Sequence, residues 1–102
     1  MQKNEQSTRA YIWTAAQKLV TGAASNPSAA VLGYSEVLLF ATANAWVTFG
    51  AAPTAAANTS GNLYLSAGEK FHVQCNPSDK IAVIQDTAAG AVHVVPTTML
   101  PL

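Results

Sequence analysis

Charge is scarce in this chain. Of 102 residues only five are basic and five acidic, the formal net charge is zero, and between Leu19 and Gly68 the single charged residue is Glu36. A soluble monomer carries roughly 25–35 % charged residues on its surface. Either Ser, Thr, Asn and Ala cover this one, or part of it is buried in an assembly. Lys and Arg are nowhere clustered, which argues against nucleic acid as the main partner, because neutralising phosphates requires a basic stripe. The single cysteine, Cys75, rules out an intramolecular disulfide and any two-cysteine metal or redox motif. No apolar run approaches the ~20 residues of a membrane span. The opening MQKNEQSTRA lacks the apolar core of a signal peptide, so synthesis in the cytoplasm without a membrane partner is expected.

Chemical motifs are equally sparse. His72 and His93 are the only histidines, and a zinc site would need them to converge with Asp79, Asp86, Glu69 or Cys75. No G-x-S-x-G elbow is present, and GAASNPSAA lacks the second glycine and the lysine of a phosphate loop. Paired carboxylates would have to come from five scattered acids. The expectation is a protein with no catalytic residues, no cofactor and no metal, which is not an enzyme.

What the chain does contain is short alternating runs separated by turns. Residues 71–75, FHVQC, put Phe71, Val73 and Cys75 on one side and His72 and Gln74 on the other, the period of a half-buried strand. Asn76-Pro77-Ser78-Asp79 then reverses the chain, since proline presets φ and the Asn and Asp side chains bond nearby backbone. KIAVIQ follows as a β-branched strand, and AVHVV after the loop at residues 86–90 as another. Together they read as a three-stranded meander with Val73, Cys75, Ile81, Val83, Val92 and Val94 turned inward, Ile81 and Val83 being the less secure pair because Ala82 and Ile84 are equally apolar.

Upstream, residues 1–8 are polar and aperiodic and read as an extended N-terminal arm. AYIWTAAQK reads as a strand by its aromatic and β-branched content, with a helix capped by Ser7 or Thr8 as the alternative. Residues 21–30 are turn chemistry, SEVLLFA and AWVTFG are two strands able to form a hairpin, residues 51–62 are an exposed loop or a crossing between sheets, and residues 63–65 are a short strand. The resulting expectation is one all-β domain over residues 9–102, a small antiparallel β-sandwich or barrel, Ig-like or jelly-roll-like, with about seven strands. Two tryptophans, Trp13 and Trp46, suit a core or a subunit interface, given the apolar area each buries. A sugar-stacking platform is the alternative, to be favoured by exposed coplanar rings beside Asn, Asp or Gln.

The second half of the chain resembles small structural proteins that tailed bacteriophages encode beside their head genes. The resemblance rests on Phe49-Gly50, Pro53-Thr54-Ala55, Leu63-Tyr64-Leu65, Phe71, Asn76-Pro77, Asp79-Lys80-Ile81-Ala82-Val83-Ile84 and Ala88-Ala89-Gly90, a pattern of strands and turns covering about half the chain. Ser78 stands where the pattern has glycine, which bears on the turn type. The resemblance implies a virion component assembled in the bacterial cytoplasm, a head decoration (cement) protein that binds the major capsid protein. The alternative it implies is a head-tail or fibre-associated β module that binds a sugar or another virion protein. The nearly uncharged stretch from Leu19 to Gly68, together with a size that leaves a single core thin, leads to the expectation of a homo-oligomer, a trimer before a dimer. Tyr11, Trp13, Trp46, Phe49, Met99 and Leu100 become the candidate subunit or capsid contacts, and residues 1–8 and 96–102 become extensions that reach a neighbour.

Overall fold

The computed structural model describes the backbone of residues 8–100 and the side chains of residues 10–98. Among them run nine strands: β1 Thr8–Tyr11, β2 Gln17–Val20, β3 Asn26–Pro27, β4 Glu36–Ala41, β5 Ala45–Gly50, β6 Leu63–Leu65, β7 Lys70–Gln74, β8 Lys80–Gln85 and β9 Ala91–Leu100, with one 3-10 turn at Trp13–Ala15. Every pairing is antiparallel. Sheet A has the order β1–β9–β4–β7 with β2 also on β9, and sheet B the order β3–β8–β5–β6. Neither closes on itself, so the all-β expectation resolves to a sandwich.

The pairs β2–β9, β3–β8, β4–β7 and β5–β6 nest as in one long hairpin, and they alternate between the two sheets. The pairings β4–β9 and β5–β8 weld the alternate rungs into two sheets. With β1 and β2 counted as one interrupted strand, this is the eight-stranded double Greek key of a jelly roll. The meander expected at residues 71–95 is therefore overturned: β7 and β9 lie in sheet A, and β8 lies in sheet B. The hairpin expected from SEVLLFA and AWVTFG is overturned in the same way, β4 being in sheet A and β5 in sheet B. Periodicity of two says which face of a strand is buried, not which strand lies beside it. The turns are where they were expected, but they carry the chain between layers. At Asn76, for example, the backbone oxygen accepts from Asp79 N at 2.9 Å and Oδ1 accepts from Ser78 N at 3.0 Å. Ser78 needs no glycine there, because Asn58 is the one described non-glycine residue with positive φ.

The core lies between the sheets. Val37, Leu39, Ala41, Val92 and Val94 from sheet A meet Ala45, Val47, Leu65, Ile81 and Val83 from sheet B, all fully buried. Ile81, Val83, Val92 and Val94 thus take their expected inward places. Val73 and Cys75 point inward too but are only half-buried, because β7 is the outermost strand of its sheet.

The N-terminal strand differs from expectation in an instructive way. Tyr11 faces Thr97 and Gln17 faces Val94, so six residues along the edge (11 to 17) match three along β9 (97 to 94). The three extra residues form the 3-10 turn at Trp13–Ala15. Pro96 sits on β9 opposite this jog. Its carbonyl accepts from Ile12 N at 2.8 Å, so its backbone faces the jog and the N–H that proline lacks has no ladder partner to lose there. That is why β9 runs through Pro96 to Leu100 as a ten-residue strand. Of the stretch expected as a C-terminal extension, residues 96–102, Pro96 and Thr97 are buried and residues 97–100 pair with β1. Thr8, expected in the arm, is the first residue of β1, and residues 1–7 lie outside the described part.

Candidate functional site

The outer face of sheet A is built from the residues that alternate away from the core. Val95, Leu38 and His72 form one row across β9, β4 and β7, and Thr97, Glu36 and Gln74 form the next, with Tyr11 beside Thr97. A third row is Lys18, His93, Phe40 and Lys70, in which the Phe40 and His93 rings lie 6.3 Å apart. Although two strands separate β1 from β7, the Tyr11 ring is 6.5 Å from that of His72. The two side chains close over the sheet between them, which accounts for Leu38 and Val95 being only 9 % exposed on an outward face. Trp13, raised by the jog, stands 5.4 Å from Tyr11 with its plane inclined by 34°, and it is 67 % exposed against 37 % for Tyr11. Glu36, the one charged residue between Leu19 and Gly68, accepts a 2.9 Å bond from Thr97 Oγ1.

Sheet B carries a second aromatic patch on its own outer face. Trp46 lies in a row with Ile84 and Tyr64, its ring 5.0 Å from that of Tyr64, and its Nε1 donates to Asp86 Oδ1 at 3.0 Å. Trp46 is half-buried with its polar atom satisfied, so it is a structural tryptophan with one exposed edge.

Of the six candidate contacts, the structure brings Tyr11 and Trp13 together on sheet A and sets Trp46 on the opposite face of the sandwich. Phe49 pairs with Ile81 on the inward face of sheet B and packs half-buried against the core. Met99 and Leu100 pair through their backbones with Arg9 and Thr8, and their side chains lie outside the described part. Sequence reasoning missed His72 and Tyr64 as members of these patches. Their parity, opposite to Phe71 and Val73 and to Leu63 and Leu65, was the signal that could have placed them.

Cys75 borders the core at the end of β7. Its thiol donates to Tyr34 O at 3.2 Å, and burial, then the negative charges of Asp79 and Glu36, raise its pKa above the ordinary value of 9.0. Among the described residues, no three His, Cys, Asp or Glu side chains gather closely enough to hold a metal ion, and no helix is long and apolar enough to cross a membrane.

Fold and surface together define a charge-poor jelly-roll sandwich with an aromatic patch on each outer face. Comparison of the chain with protein-family models, curated proteins and solved structures finds no match.

Proposed function

We propose that this protein is a non-enzymatic virion component that binds the major capsid protein on the outside of a phage head and reinforces the shell, attaching through the outer face of sheet A. The observation that carries the reading is Trp13: a tryptophan two-thirds exposed on a three-residue jog, its ring 5.4 Å from that of Tyr11 on the outer face of sheet A. Leaving that much apolar surface in water is unfavourable by about 25 cal/mol per Å², and a clustered apolar patch of this kind marks an interaction site. The resemblance of residues 49–90 to small structural proteins that tailed phages encode beside their head genes supports the same reading. So does the jelly roll, which recurs in viral capsid domains, although only as a fold-level analogy. Cement proteins of this sort act by burying surface across capsomer joints, so that internal pressure must break those contacts as well, multiplied over the lattice.

The second reading, a fibre-associated module stacking a sugar on Trp13, draws on the same exposure and on Gln74 in the neighbouring rows. The 34° tilt between Trp13 and Tyr11 weighs against it, because it denies a pyranose ring a flat platform. The test compares phage particles with and without the protein under heat or chelator. Decorated particles should rupture at a higher temperature, and a Trp13→Ala protein should fail to restore that difference. Equal rupture temperatures would reject the capsid reading.

A further inference from the structure

A sandwich has four sheet edges, and in this one three are blunted. β3 is two residues long and ends in Pro27, β6 is three residues long, and the β1/β2 edge is broken by the jog. The fourth, β7, is five residues of uninterrupted strand, and among the described residues nothing pairs with its far side. Such an edge is a template for a further strand. Which of its backbone groups are free follows from one bond: Cys75 N donates to Ser35 O at 2.8 Å, on the β4 side. By alternation Val73 and Phe71 also turn their backbones to β4, and Lys70, His72 and Gln74 turn theirs outward.

The seam of the sandwich beside β7 is open as well. On the opposite side, Asn26 Nδ2 donates to Val20 O at 2.8 Å and Leu19, Thr21 and Leu32 are buried, so that seam is shut. Beside β7, Phe71 is 36 % exposed although it stands opposite the fully buried Leu39, and Val73, Cys75, Leu63 and Phe49 are only half-buried. A strand added to β7 with apolar residues on its inward side would supply both the missing backbone partners and the missing cover.

We propose that this strand is β7 of a second copy, the two running antiparallel about a twofold axis at His72 and joining two sheets A into one. The sequence of β7, KFHVQ, is complementary to itself in that arrangement. Phe71 comes opposite Val73 of the second copy on the inward side, and Lys70 comes opposite Gln74, so no two lysines face each other. The outward-facing residues Lys70, His72 and Gln74 become the hydrogen-bonded pairs, giving about six backbone bonds. Registers centred on Phe71 or Val73 keep that parity but leave strand ends overhanging. A twofold contact closes on itself and stops at two copies, so the expected trimer or dimer becomes a dimer. The pairing does not depend on attachment to a capsid.

The contact is small, so half-association of the free protein is expected on the order of 100 μM. Sedimentation equilibrium between about 10 μM and 1 mM should show a monomer–dimer transition. His72→Pro removes an outward N–H that the monomer does not use, a placement edge strands accept, and His72→Lys sets two ammonium groups directly opposite each other. Each variant, checked by circular dichroism for an unchanged fold, should dimerise at least tenfold more weakly. If the proline variant does not fold, the exposed lysine variant decides alone. A wild-type protein that stays monomeric throughout, a trimer, or a dimer whose affinity the folded variants leave unchanged would overturn the proposal.

Discussion

Gly90 shows how much a single position can hold in this fold. It joins the loop after β8 to β9, its N–H donating to Thr21 Oγ1 at 2.8 Å and its carbonyl accepting from Thr21 N at 2.9 Å. A Cβ there would stand 2.7 Å from Ala43 Cβ and 2.9 Å from Thr42 Oγ1, and Thr42 Oγ1 accepts from Ala91 N. Gly90→Ala should therefore cost about 1–3 kcal/mol of stability, the usual penalty of overpacking, measurable by urea unfolding. Thr21→Val keeps the shape of a buried side chain but leaves the Gly90 N–H without its acceptor, for a loss of about 1–3 kcal/mol. Trp13→Ala, by contrast, should leave the unfolding midpoint nearly unchanged while weakening attachment. Cys75 supplies a pH dependence whose sign is fixed by its raised pKa. Below the unfolded thiol's pKa both states keep the proton, and above it the unfolded chain ionises first. Stability should then fall as the pH rises through the alkaline range. A thiol reagent at neutral pH should label the folded protein more slowly than the unfolded chain.

Among the elements, the four strands flanked on both sides, β9, β4, β8 and β5, should hold their amide protons longest, and β3, β6 and β7 should exchange first. Hydrogen exchange followed by mass spectrometry checks this, and strong protection of β3 would contradict the strand order. These elements were largely visible beforehand. Alternation marked β7, β8 and β9 and the inward set Ile81, Val83, Val92 and Val94, and the turn chemistry of Asn76 and Pro77 marked the reversal. Strand neighbours were not visible. In a rolled hairpin every link crosses between layers, and nothing local in FHVQC or KIAVIQ records that the partners lie at residues 36–40 and 45–50. The break at Trp13 and the strand through Pro96 were hidden for a related reason. Each is unfavourable alone, and each becomes acceptable only opposite the other. Of the candidate site, Tyr11 and Trp13 could be named from their residue types, but their union with His72 depends on two intervening strands.

On the scale of the whole molecule, the scarcity of charge gives a direct expectation. With ten charges in 102 residues, attachment has to rest on apolar and backbone contacts, and it should change little between low and moderate salt, because screening acts on ion pairs and hardly on buried apolar area. Cosedimentation of the protein with empty heads across a salt series tests this, and a steep loss of binding would point to an ionic interface. The central claim, a position on the outside of a phage head, is reached most directly by electron microscopy of purified particles. The account predicts density for the sandwich repeated over the outer head surface, with Trp13 and Tyr11 of sheet A turned toward the shell. Density for this chain at the tail alone, or none on the particle, would contradict it.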